Sequence, residues 1–197
     1  MIKKYKSNEI DKIVEILKND GVVAVPTDTV YGLCANMNSE KAKTKLELIK
    51  KRLPNKSFPI MCANIEQIKD LAIVTQKIEK LINTFMPGPI TLIIKKTEKV
   101  PNYIHEKNVG VRMATTKELQ KIIDLLGTPI LLTSANKSGE TECKTIEEIE
   151  EKLPEIDGIL EGTVSIGQAS TIVDCTSNEF KIIREGPIKL KEIEKIY

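Results

Sequence analysis

Four stretches of the chain place small polar or cationic residues where apolar runs end, and such edges of α/β sheets are where ligands are held. The first is Pro26-Thr27-Asp28-Thr29-Val30-Tyr31-Gly32-Leu33, directly after the run Val22 to Val25. Its hydroxyls and amides can hold a carboxylate, an amine or a phosphate, or can bond their own backbone as a capped turn. The second is Lys50-Lys51-Arg52 with Lys56, and Pro54-Asn55 between them turns the chain so that the cations can aim at one point. Arg offers a planar fork and Lys a point charge to a polyphosphate. The same cations at a helix C-terminus also answer the helix dipole.

The third stretch is Thr133-Ser134-Ala135-Asn136, leaving the apolar run Pro129 to Leu132. Its side chains suit phosphate or ribose, or a tight polar turn. The fourth combines Ser170-Thr171, opening the run to Cys175, with Arg184-Glu185-Gly186-Pro187 at the end of another strand-like run. A lone surface ion pair is the plainer reading of Arg184. Arg112 lies inside Val109-Gly110-Val111-Arg112-Met113. A cation in an apolar strand needs an anion, supplied by protein or by ligand.

Several familiar chemistries are missing from the sequence. There is no G-x-x-x-x-G-K-[ST] loop and no G-x-G-x-x-G, so a nucleotide would be held by scattered cations and hydroxyls. His105 is the only histidine and no G-x-S-x-G occurs, which argues against a Ser-His-Asp triad. The four cysteines at 34, 62, 143 and 175 form no C-x-x-C pair, so no structural metal site is expected. Lys and Arg total 30 against 28 Asp and Glu, and aromatics are only 4% with no Trp. That balance is poor for coating nucleic acid, which draws on cationic excess and stacking platforms. The N-terminal MIKKYKSNEIDKI lacks an apolar signal core, and the longest apolar runs are far short of a membrane span. The expectation is a cytoplasmic chain with reduced thiols and no membrane segment.

Periodicity supplies the elements that must position these residues. Helical spacing of Ile10, Ile13, Val14 and Leu17 predicts a helix over Glu9 to Asn19, capped by Ser7 or Asn8 and stopped at Gly21. Further helices are expected from Ser39 to Lys51, after the Asn64/Gln67 capping pattern, over 76–85, 117–126 and Ile146 to Leu153 behind Thr145/Glu148, and over 188–196. Strands are expected at Val22 to Val25, Phe58 to Ala63, Ile90 to Lys95, Val109 to Met113, Pro129 to Leu132, 158–160, 170–175 and 180–184. The mixture lacks strict βαβ alternation, which implies an α/β domain over residues 1–197 with a mixed sheet.

Taken in order, these segments resemble the YrdC family of threonylcarbamoyl-AMP synthases. The resemblance rests on GVVAVPTDTVYGL (21–33), the K-x-R of Lys50 and Arg52, MPGPITLIIKK (86–96), VGVRM (109–113), TSAN (133–136), STIVD (170–174) and IIREG (182–186). It implies a twisted mixed β-sheet flanked by helices with a concave basic ligand cleft, in the short, single-domain type. Leu53 stands where the family usually has Pro, Ser57-Phe58 replaces a common Pro-Leu, and Ala169 replaces a frequent Pro.

The resemblance further implies ATP-dependent synthesis of L-threonylcarbamoyl-AMP from L-threonine, bicarbonate or CO2 and ATP, with Mg2+ accompanying the nucleotide and release of pyrophosphate. The product serves partner threonylcarbamoyltransferase proteins acting at position 37 of ANN-decoding tRNAs; a weak tRNA contact is a further expectation. Lys50, Arg52, Ser134, Asn136 and Arg184 fall at the family's nucleotide positions, with Lys50 and Arg52 as the catalytic pair. Thr27, Arg112, Thr133 and Ser170 fall where threonine is held, Arg112 pairing with its carboxylate. A closed site is expected, covered by residues 52–58 or 137–143, because the carboxythreonine intermediate hydrolyses readily. The rivals are a paralogue on the same fold acting on another carbamoyl or adenylate substrate, and a non-catalytic RNA-binding module.

Overall fold

Alternation along the short strands sends successive side chains into two separate cores. The computed structural model describes residues 2–53 and 56–196. Among them the strands are β1 (Lys4–Tyr5), β2 (Val23–Pro26), β3 (Tyr31–Asn36), β4 (Ile60–Cys62), β5 (Ile90–Lys95), β6 (Asn108–Met113), β7 (Ile130–Ser134), β8 (Gly158–Leu160), β9 (Thr171–Asp174) and β10 (Lys181–Arg184). They form one sheet in the order β1-β8-β2-β3-β7-β4-β6-β5-β9-β10. β8 runs parallel to β1 and β2, β4 to β6 and β5 to β9, while the other pairings are antiparallel. The mixed sheet is therefore as expected.

Val23 and Val25 of β2, Cys34 of β3, and Ile130 and Leu132 of β7 face one core, with α1 (Ile10–Lys18) and α5 (Lys117–Leu126) packed over it. Ala24, Leu33, Ala35 and Leu131 face the other, covered by α2 (Glu40–Lys50), α3 (Ile65–Leu71), α4 (Gln76–Phe85), α6 (Ile146–Lys152) and α7 (Leu190–Glu194). With both faces covered, strands read as continuous apolar runs. Each fully buried branched aliphatic side chain contributes about 1.5–3 kcal/mol.

Side-chain caps start the helices as expected at Ser39, Asn64 and Thr145, and also at Thr75 and Thr116. Two features differ at α1. A 3-10 turn over Ser7–Glu9 precedes it with no side-chain cap, and its left-handed terminating residue is Asp20 (φ 62°) rather than Gly21. Gly21 is required for space, since a Cβ there would lie 2.3 Å from the Ile16 side chain.

The expected strands over Phe58 to Ala63, 170–175 and 180–184 shorten at their ends, and the helix over 188–196 shortens to α7. Two strands lie outside the sequence expectation. β1 is too short to show a period. β3 begins inside the polar segment, because Tyr31 to Asn36 return antiparallel beside β2 as a hairpin.

Candidate functional site

The register of the sheet assembles the site. Met61 pairs with Arg112 and Thr91 with Ile172, and Leu92 beside Val111 brings Thr91 next to Arg112 on the same face. These residues floor a cavity of about 160 Å³. It is bordered by the β2–β3 turn, by the end of β7 and by the end of β10, regions far apart in sequence. Of the residues expected to act, Thr27, Arg52, Arg112, Thr133, Ser134, Ser170 and Arg184 all line it.

Arg112 is 7% exposed, and its anion in the structure is a protein carboxylate. Its Nη2 donates to Asp28 Oδ1, its Nη1 to Thr29 Oγ1 at 3.1 Å and its Nε to the Gly88 carbonyl at 3.1 Å. Thr115 also donates to Asp28 Oδ1. Burial pushes this guanidinium below the usual arginine range, and Asp28 opposes the shift. Arginine stays charged in such surroundings. Three of its five N–H groups are thus committed to positioning it, leaving two for the cavity.

Thr27 combines both sequence readings. It borders the cavity, while its hydroxyl donates to the Val30 carbonyl at 2.7 Å and accepts from the amides of Thr29 and Val30.

The four clustered cations do not converge. Lys51 and Lys56 are exposed, while Lys50 and Arg52 point to different places. Pro54 and Asn55, expected to turn the chain, lie outside the described residues. Arg52 reaches the cavity, stacks 4.7 Å from the Phe58 ring, and donates to the carbonyls of Lys56 (2.9 Å) and Ser57 (2.7 Å). Burial lowers its pKa and Glu47 opposes this.

Lys50 is 2% exposed and sits behind the wall of the cavity. Its ammonium donates to the Ser134 carbonyl (2.6 Å), the Asn136 carbonyl (2.8 Å) and Asn136 Oδ1 (3.0 Å). Its own carbonyl accepts from Ser138. Three donors therefore meet three acceptors, and Lys50 fixes the segment that presents Ser134. Burial, then the charge of Arg52, lowers its pKa to about 7. Asn136 also stands outside the cavity lining; its Oδ1 accepts from Ser134 Oγ at 2.7 Å, and its Nδ2 donates to the Glu140 carbonyl.

At the opposite wall, Ser170 Oγ lies 3.0 Å from Thr91 Oγ1. Arg184 forks onto the Ser170 carbonyl through Nε (3.0 Å) and Nη2 (2.8 Å). Burial lowers the Arg184 pKa, with Glu142 acting the other way.

Thr91 and the Gly88 carbonyl serve the site without being singled out by sequence reasoning, and Asp28 and Thr29 were named only as part of the Pro26–Leu33 stretch, with no role of their own. Thr91 carried a signal, as a polar residue inside the apolar run Ile90 to Ile94. Asp28 carried one only in the unmet need of Arg112 for an anion. The cavity holds hydroxyls, backbone groups and three guanidiniums but no activated thiol: all four cysteines are buried and burial raises each pKa. Such a site suits binding and aligning anions more than covalent attack. Among the described residues no helix is long and apolar enough to cross a membrane.

The Sua5_yciO_yrdC model, described as telomere recombination, matches residues 15–186. The chain belongs to the Sua5/YciO/YrdC family. Threonylcarbamoyl-AMP synthase of Wigglesworthia glossinidia brevipalpis is 35% identical over 94% of this chain and 97% of its own length. The crystal structure of P. abyssi Sua5 complexed with L-threonine superposes with a TM-score of 0.92 at 33% identity, covering 100% of this chain and 60% of that one. Escherichia coli YciO superposes with a TM-score of 0.89 at 25% identity, covering 98% of this chain and 100% of that one. The family match over residues 15–186 spans β2 to β10 of the sheet described above.

Proposed function

We propose that this chain makes L-threonylcarbamoyl-AMP from L-threonine, bicarbonate or CO2 and ATP with release of pyrophosphate, and that this adenylate supplies N6-threonylcarbamoyladenosine formation at position 37 of ANN-decoding tRNAs. The supporting observation is the convergence of Arg52, Arg112 and Arg184 on one hydroxyl-lined cavity, in the fold of a Sua5 protein whose structure holds L-threonine.

The chemistry asks for such a cavity. Threonine's amine forms a bond to the carbon of CO2 and loses a proton, giving a carbamate. A carbamate oxygen then attacks the α-phosphorus of ATP, and the bond to the bridging oxygen of pyrophosphate breaks. Both reactants are anions, so their approach is opposed until cations stand around them. Arg52 and Arg184 serve the nucleotide, with Ser134 presented by the loop that Lys50 and Asn136 hold. Arg112 offers its two remaining N–H groups to the threonine carboxylate, beside Thr27, Thr133 and Ser170. Lys50 acts on this reading by holding the Ser134 loop. Mg2+ enters with ATP as part of the substrate and neutralises phosphate charge. On this proposal the product passes to threonylcarbamoyltransferase proteins in the cytoplasm, with a weak contact to the tRNA.

Purified protein given threonine, bicarbonate and Mg-ATP is expected to release pyrophosphate only when threonine is present, with the adenylate detected by mass spectrometry. Equal release with serine, or none with any amino acid, refutes the substrate assignment.

A further inference from the structure

Thr171 opens β9 fully buried and outside the cavity lining, yet it ties together the strand end that carries Arg184. Its Oγ1 donates to the Ile188 carbonyl at 2.8 Å and accepts from the amides of Gly186 (3.0 Å) and Ile188 (3.1 Å). One hydroxyl thereby serves two backbone donors and one acceptor in the five residues that follow β10. Its backbone amide donates to the Pro89 carbonyl, next to the Gly88 carbonyl that holds Arg112.

The pairing of β10 with β9 explains why such a tie is needed. Ile182 pairs with Val173 but Arg184 pairs with Ile172, so the register slips by one at Ile183, which is 58% exposed. A bulge of this kind re-aims the following side chain, here Arg184, onto the Ser170 carbonyl at the cavity wall. Past the Arg184–Ile172 pairing, the chain leaving the bulge needs an anchor for its far side. That anchor is Thr171, and the backbones touch there: a Cβ on Gly186 would lie 2.5 Å from both Ala169 O and Thr171 N.

We infer that Thr171 is a positioning residue: its hydroxyl locks the β10 bulge so that Arg184 faces the cavity, and it sets nucleotide affinity through Arg184. This rests on the synthase reading above. Valine matches the shape of threonine but cannot make these bonds, whereas serine keeps all three.

The test compares wild type, Thr171→Val and Thr171→Ser by steady-state kinetics, and by calorimetric titration with Mg-ATP, which needs no turnover. Thr171→Val is expected to raise the ATP KM and Kd by about 10- to 100-fold, the scale of a misplaced positioning group. The threonine KM is expected to stay within about twofold and Thr171→Ser to stay close to wild type, since the positioning bonds survive. In an Arg184→Ala background Thr171→Val is expected to add nothing. An unchanged ATP affinity in Thr171→Val, equal rises in both KM values, or a full additional effect without Arg184 each overturn the inference. Should Thr171→Val not fold, Thr171→Cys, similar in size with a weak acceptor, carries the same expectations. Wild type that binds Mg-ATP without threonine-dependent pyrophosphate release refutes the synthase reading and leaves the binding contrast standing as the test of Thr171. Wild type that binds no Mg-ATP refutes both.

Discussion

The Nη2 group of Arg112 donates to Oδ1 of Asp28, 84 residues away in sequence, and their side chains are only 8% and 16% exposed. This pair joins the β2–β3 turn to β6 and so fixes one side of the cavity. Removing one member of a buried pair leaves an uncompensated charge, which costs about 3–5 kcal/mol. Asp28→Asn is expected to lower the unfolding free energy by that amount in urea titrations. Combined with Arg112→Met it is expected to cost less than the sum of the two single changes. Additivity within about 0.5 kcal/mol would show that the pair is not coupled.

Lys50 makes a prediction about pH. Its folded pKa of about 7 lies below its ordinary 10.5, so between those values the unfolded chain binds more protons than the folded one. Stability therefore rises with pH across that window, by at most ~1.4 kcal/mol per pH unit from this group. The penalty on the fold is fully present below about pH 7 and is relieved as pH approaches 10.5. Lys50→Met lacks this titration, so the stability of wild type minus that of the variant should climb from about pH 7 to pH 10. A flat difference refutes the depressed pKa.

The thiols should be inert in the native state. Burial pushes Cys62 and Cys175 up to about 12, and raises Cys34 and Cys143 as well. The thiolate is the reactive form. Iodoacetamide at about pH 8 is expected to label none of the four in native protein and all four in urea, read by intact mass. Rapid native labelling of any one would contradict its burial.

Much of the architecture was legible because local rules and packing agree. Ser39, Asn64 and Thr145 cap the helices that their sequence positions announce, since a side-chain oxygen placed before an apolar periodicity has few better partners than the free amides. The strand Tyr31 to Asn36 was hidden, because Gly32 and Asn36 dilute its pattern and pairing with β2 and β7 supplies its stability. Local rules cannot see a partner that lies far along the chain.

Residue types and motif order were enough for the family, the helices, most strands and seven of the polar residues that line the cavity. Motif order and residue type survive without coordinates because they are properties of the chain. Which of the two neighbouring cations faces the cavity was settled by packing in three dimensions. Lys50 and Arg52 are two residues apart on the same segment, yet Lys50 turns inward to three oxygens of the Ser134–Asn136 loop while Arg52 reaches the cavity. The anion of Arg112 was likewise undecided until the sheet brought Asp28 beside it. A buried charge must find its counter-charge or its acceptors in three dimensions, and which one it finds is set by strand register rather than by spacing in sequence.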